Sequence, residues 1–254
     1  MRTKIVAGNW KMNKNFHEGL ELTSEITGMV NDEINGNVEV VLIPTYIHLN
    51  AVSQLTQGSS KISTGAQNCH TENSGAYTGE ISASMVAAVG CKYCLAGHSE
   101  RRLYNNETNA ILAKKVDAIL GTHLSPIYCC GETLEERNAE KHFDIIGSQV
   151  KEGLFHLSGE QISKTVIAYE PVWAIGTGVN ASTAQAQEVH AFIRSLLTEK
   201  YGNDIASQIR ILYGGSVKPD NAKELFSQTD IDGGLVGGAA LQSRSFVDIV
   251  KGAL

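Results

Sequence analysis

Glu170 closes the apolar run Thr165 to Tyr169 and is followed at once by a loop with Pro171, Trp173, Ile175, Gly176 and Gly178, the whole stretch reading AYEPVWAIGTG from Ala168. An acid at a strand end is ordinary. An acid hinged to a glycine-rich loop with apolar residues at its tip is the pattern of a base that is covered while it works, because removing water makes a carboxylate a stronger base. Other residues with chemical use stand just after similar apolar runs: Asn9 and Lys11, His98 and Glu100, Gly214 to Ser216, and Gly237 with Gly238. Glycines in such places let backbone N–H groups come close to an anion, although a glycine pair alone is usually a turn.

The elements that must carry these residues alternate. Eight short β-like runs are readable: KIVAG from Lys4, VEVVLIP from Val38, KISTGA from Lys61, KYCLAG from Lys92, LSPIYCC from Leu124, TVIAY from Thr165, IRILY from Ile209 and DGGLVGG from Asp232. Several are apolar on successive residues, as a parallel sheet covered on both faces requires. Between them lie segments of helical period. Val189, Phe192, Ile193, Leu196 and Leu197 predict a helix over Ser182 to Lys200 with Ser182 as N-cap. Ile111, Leu112, Val116, Ile119 and Leu120 form a second stripe ending at Gly121, and Pro219 is placed to open a helix through Leu225 and Phe226. Ser158 and Gly159 merely separate a helix from a strand. No linker divides the chain, so eight βα units favour one closed (β/α)8 barrel domain over residues 1 to 254, not an open doubly wound sheet. In such a barrel the strand ends open onto one face, where the residues above would converge.

Composition narrows the partners. A length of 254 residues fits one barrel or two small domains, and a formal charge of −6 argues against a broad surface for nucleic acid or an anionic membrane. An anionic ligand would therefore be held locally. No apolar run approaches a bilayer span, and the start MRTKIVAGNW lacks the apolar region of a signal peptide, so a cytoplasmic chain is expected. Cys91 and Cys94 form CKYC, but no second C-x-x-C completes a zinc site, and the pair enters an apolar run. Buried thiols in a reduced chain are the expectation for the five cysteines.

The ordered set GNWKMN at Gly8, GAQN at Gly65, GAYTGEIS at Gly75, AGHSERR at Ala96, CCGET at Cys129, YEPVWAIGTG at Tyr169, YGGSV at Tyr213 and GLVGGAAL at Gly234 resembles the triosephosphate isomerase family across nearly the whole chain. The resemblance implies a TIM barrel that interconverts dihydroxyacetone phosphate and D-glyceraldehyde 3-phosphate through an enediolate, in glycolysis and gluconeogenesis, with no cofactor and no metal. Glu170 matches the family's base, which takes a proton from one carbon and returns it to the next. Ile175 on the covering loop and Leu235 beside the eighth strand would keep it dry. His98 matches the electrophile that moves protons between the substrate oxygens; the pairing of a glutamate base with a neutral histidine is the family's known chemistry, carried over onto these two positions. Lys11 matches the site cation, Asn9 would orient the same oxygens, and Glu100 resembles the carboxylate that pairs with Lys11. Gly176, Ser216, Gly237 and Gly238 match the phosphate contacts.

The same resemblance implies a homodimer, with the loop of residues 65 to 80 inserted into the partner and Thr78 reaching the neighbouring site. Some positions depart from the family pattern: Cys130 replaces a common aliphatic residue, Asn105 and Asn106 replace an aromatic-containing stretch, and Val179 stands where lysine is frequent. They bear on packing, loop closure and redox sensitivity. Another sugar-phosphate barrel enzyme would share the glycine loops without needing Lys11, His98 and Glu170 together, and an inert binding barrel would be expected to have lost one of the three.

Overall fold

The computed structural model describes residues 2–175 and 181–254. Gly176, Gly178 and Val179 lie outside the described residues. Eight parallel strands, β1 (Lys4–Asn9), β2 (Val38–Ile43), β3 (Ile62–Ala66), β4 (Tyr93–Ala96), β5 (Ser125–Cys130), β6 (Val166–Tyr169), β7 (Ile211–Tyr213) and β8 (Gly233–Val236), pair in sequence order and close into a barrel. Closure is made by β1 against β8, where Ile5 stands opposite Gly233 and Gly8 opposite Val236. Each predicted run thus holds a strand, with ends shifted by a residue or two.

Successive strand residues point to opposite faces, which explains why the runs are apolar throughout. Ile5, Ala7, Val41, Ile43, Tyr93, Leu95, Ile127, Cys129, Val166, Ala168, Leu212 and Leu235 fill the barrel interior. Their strand neighbours, among them Val6, Leu42, Cys94, Tyr128, Ile167 and Val236, belong to the larger layer between barrel and helices. Burying each such aliphatic side chain contributes roughly 1.5–3 kcal/mol, so the two layers dominate the cohesion of the fold. All five cysteines are free and buried, Cys91 and Cys94 included.

The helices follow the sequence with instructive exceptions. Helix Thr183–Tyr201 starts where expected: Ser182 caps the Gln185 N–H, and the Gln185 side chain accepts from the Ser182 N–H in return. Helix Asn109–Leu120 carries a different inner face from the one its apolar spacing suggests. Ile111 is exposed, whereas Lys115 is buried because its Nζ reaches Glu107 Oε1 and Asn68 Oδ1, each at 2.6 Å. The helix assigned near Pro219 is Ala222–Phe226; Pro219 lies in a turn that leads into it, with the Lys218 carbonyl accepting from Asn221 and Ala222. Ser158 does more than separate elements, since it caps a short helix, Gly159–Ser163, with Gln161 completing the box. Asn106 adopts φ 51° just past helix Ser99–Tyr104, a left-handed conformation that asparagine tolerates, which gives this departure a local reason.

His190, inside helix Thr183–Tyr201, is wholly buried beside the rings of Tyr169 and Tyr213, with Nδ1 3.1 Å from the Asp230 carbonyl. Burial lowers its pKa from 6.5 to about 4. The unfolded chain therefore binds this proton at a pH where the folded chain refuses it, and stability falls as pH drops from about 6.5 to about 4. The loss amounts to about 3 kcal/mol across that window. His190→Gln should be less stable at neutral pH yet lack this part of the acid slope, as urea midpoints measured against pH would show.

Candidate active site

The C-terminal ends of the strands form a cavity of about 320 Å³ lined by Asn9, Lys11, His98, Glu170, Ile175, Ser216, Leu235, Gly237 and Gly238. The structure thus brings together most of the residues singled out from sequence. Glu100 stands beside this group through its contact with Lys11, Thr78 stands apart on an exposed loop, and Gly176 is outside the described residues.

Each side chain is positioned by the element that delivers it. Asn9 ends β1 and its Oδ1 accepts the Lys11 N–H at 3.0 Å, bending the chain back so that Lys11 sits at φ 51°. Left-handed backbone is uncommon for a lysine and is held here by that side-chain bond. Lys11 Nζ then lies 2.6 Å from Glu100 Oε1. His98 follows Gly97, whose φ of 80° suits glycine, and it caps helix Ser99–Tyr104. Its Nδ1 accepts from the Glu100 N–H at 3.3 Å. A ring nitrogen that accepts carries no proton, so the neutral imidazole bears its hydrogen on Nε2, which points at Glu170 Oε1 from 3.1 Å.

Glu170 lies one residue beyond β6 and is almost fully buried. Its N–H donates to the Cys130 carbonyl at 2.8 Å, and its Oε2 accepts from the Ser99 N–H at 2.8 Å. A buried carboxylate needs such donors, because an unpaired charge away from water is costly. The Ser99 contact was invisible in the sequence, since a backbone donor leaves no residue-type signal. Ile175 and Leu235 line the same cavity as apolar neighbours. On the opposite side Ser216, Gly237 and Gly238 leave backbone accessible, and Lys218, which the sequence reading passed over, adds a second cation to the lining. Arranged this way, the site can receive a small anion at the glycine end and move a proton at the carboxylate end.

Behind Glu170, fully buried Glu132 anchors the start of the segment that follows it. Its Oε1 accepts from Trp173 Nε1 at 2.8 Å and from Tyr169 Oη and Arg137 Nη1 at 3.1 Å, and its carbonyl accepts the Val172 N–H. Burial and the neighbouring carboxylate hold the Tyr169 phenol well above its usual range, which keeps it a donor. Cys130, buried beside this cluster, has its thiol pushed up to about 12 by burial, so its presence adds little thiolate.

A closed parallel barrel with a buried carboxylate–imidazole pair and glycine-lined backbone at its C-terminal mouth is the architecture of a (β/α)8 enzyme. The triosephosphate isomerase family model matches residues 4–253. Curated relatives named triosephosphate isomerase include one from Cytophaga hutchinsonii, 56% identical over 251 residues and covering 99% of each chain. Others come from Bacteroides fragilis, 54% identical with 98% of each chain covered, and Chloroherpeton thalassium, 51% identical with full coverage of both. The chain belongs to the triosephosphate isomerase family.

The Glu132 cluster yields a test. Glu132→Ala removes the acceptor shared by Arg137 and Tyr169 and should destabilise the protein by about 3–5 kcal/mol. At roughly 2–4 °C per kcal/mol the melting temperature falls by about 6–20 °C. An unchanged calorimetric Tm would contradict this account of the cluster.

Proposed function

We propose that the chain interconverts dihydroxyacetone phosphate and D-glyceraldehyde 3-phosphate by proton transfer through an enediolate, as one barrel domain. The observation that carries this reading is the pairing of buried Glu170 with an Nε2–H imidazole of His98 at 3.1 Å, within a cavity that also holds Lys11. Glu170, released from Ser99, takes a proton from C1 of the ketose and returns it to C2. His98 Nε2–H donates to the oxygen on which charge develops, and exchanges its proton between the two oxygens. Lys11 offsets the negative enediolate, Asn9 orients its oxygens, and Glu100 holds the lysine. Ser216, Gly237, Gly238 and, from outside the described residues, Gly176 bind the phosphate. Ile175 and Leu235 exclude water from the base.

The working form in this reading is a homodimer. Supporting it is a second cavity of about 400 Å³ beside Lys11 and Glu100, lined in part by Met12, Tyr46, Gln67, Arg101 and Tyr104. Met12, Tyr104 and nearby Ile47 are large apolar side chains left open to water, an arrangement that favours a partner. The loop of residues 65 to 80 supplies the complementary feature: it is exposed around Thr78, yet internally braced by a tilted ring contact of His70 with Tyr77, with centroids 4.2 Å apart. Thr78 of a second copy would enter the cavity. Among the described residues no helix is long and apolar enough to cross a membrane, and a cytoplasmic location fits a substrate pair of this kind.

In a coupled assay of glyceraldehyde 3-phosphate conversion, Glu170→Gln should lower kcat by about 10²- to 10⁴-fold with KM changed far less. Near-normal kcat in this variant would remove Glu170 as the base. Thr78→Asp should dissociate the dimer and suppress activity, because a buried unpaired charge is poorly tolerated. Sedimentation velocity would decide it: an intact, fully active dimer rules out the docking role.

A further inference from the structure

Glu170 stands just beyond the paired registers of the sheet, with its N–H still donating to the Cys130 carbonyl at 2.8 Å. The β5–β6 register ends at Cys130 opposite Tyr169, and the β6–β7 register ends at Tyr169 opposite Tyr213. Beyond that bond, its backbone is held between two glycines that continue the neighbouring strands. A Cβ on Gly131 would lie 1.7 Å from the Glu170 carbonyl oxygen, and one on Gly214 would lie 2.8 Å from the Glu170 Cγ. Both peptides therefore press directly against the residue. Gly214 is fixed by its own N–H, which donates to the Tyr169 carbonyl at 2.7 Å. Gly131 has a different support, and it comes from outside the barrel.

That support is Gln149 on helix His142–Leu154. Its Oε1 accepts the Gly131 N–H at 2.8 Å while its Nε2 donates to the Gly131 carbonyl at 3.0 Å. One side-chain amide thus supplies the donor and acceptor that a strand would offer, past the point where the strands stop. The same residue is tied to the histidine side of the site. Its carbonyl accepts from Tyr128 Oη at 2.6 Å, Tyr128 Oη accepts from Arg102 Nη2 at 3.1 Å, and Arg102 Nε donates to the carbonyl of Gly97, the residue before His98. Gly153 clears the way for Tyr128, since a Cβ there would lie 2.1 Å from the phenol oxygen.

We propose that Gln149 is a positioning residue for the Glu170 carboxylate, acting through the Gly131 peptide that backs it. The proposal rests on the isomerase reading, in which Glu170 is the base. Among the described residues Gln149 does not line the cavity, and its side-chain hydrogen bonds go to Gly131 and not to Glu170, so its effect is transmitted through backbone placement. Catalysis is sensitive to such placement, because a carboxylate displaced by about 1 Å from the reacting carbon loses up to about 100-fold in rate.

Gln149→Met keeps the volume and removes both hydrogen bonds. It should lower kcat by about 10- to 100-fold, with KM and the inhibition constant of inorganic phosphate changed by less than about twofold. Gln149→Glu gives a second readout. As a carboxylate it repels the Gly131 carbonyl, and when protonated it repeats the donor and acceptor of the amide, so its kcat relative to the unmodified chain should rise as pH falls toward the ordinary carboxyl range. Wild-type kcat in Gln149→Met, or a loss of kcat matched by equal loss of phosphate binding and a flat pH ratio in Gln149→Glu, would overturn the positioning role. Absence of turnover in the unmodified chain, or full activity of Glu170→Gln, would count against the isomerase reading itself and leave no base for Gln149 to position.

Discussion

Closure of the sheet is the constraint from which the site follows. Eight parallel strands leave two edges unless β1 meets β8, and their pairing from Ile5 opposite Gly233 to Gly8 opposite Val236 removes both. The approach is close enough that a Cβ on Gly233 would strike the Ile5 carbonyl at 1.9 Å. Once the ring is shut and all strands run one way, every C-terminal end lies on one rim. Residues as distant in the chain as Asn9 and Gly238 then face a common space. The 3.1 Å separation of His98 and Glu170 is a product of this ring, because β4 and β6 are held on either side of β5.

The rim is also where the fold must bury charge, and it does so in paired sets that share one carboxylate oxygen, Oε2 of Glu107 and of Glu132 having no hydrogen-bond partner among the described residues. Glu132 takes three donors on one oxygen, while Glu107 receives both Arg101 and Lys115 at 2.6 Å. Such groups add less to stability than apolar packing of equal volume would, but removing one member strands its partners. Their effect here is geometric: they fix where β5 and β6 and the segments just past them can lie. Glu170 thus has polar anchors beside it, with the apolar layers left to hold the barrel behind it.

Much of this was legible in the sequence, and the reason is periodicity. Strands covered on both faces read as unbroken apolar runs, which is why β5 was visible as LSPIYCC and β6 as TVIAY. Asn9, Lys11, His98 and Glu170 stood out because they follow those runs at once. What could not be read depends on partners distant in sequence. Lys115 occupies an inner helical face where Ile111 was the better guess, and only Glu107 and Asn68 explain it. Ser99 contributes a backbone N–H, and Gln149 a side-chain amide on an otherwise ordinary helix. The turn at Pro219 was misplaced as a helix start for a simpler reason, since a fixed φ suits a turn equally well.

The five buried thiols carry a consequence for how the molecule can be watched. A thiol reagent attacks the thiolate; burial pushes Cys91 and Cys130 up to about 12 and raises Cys129 well above the normal range, and the hydrogen bond with Cys69 together with burial raises Cys94 likewise. In the closed barrel they are shielded and protonated at once. Alkylation must then wait for transient opening, and its speed measures how often the walls part. Cys69 differs in direction, because a hydrogen bond with Cys94 lowers its pKa. All five lie between residues 69 and 130, on or near β3, β4 and β5. The chain therefore holds an unlabelled internal chronometer for one sector of its wall, the sector that bears His98 and backs Glu170.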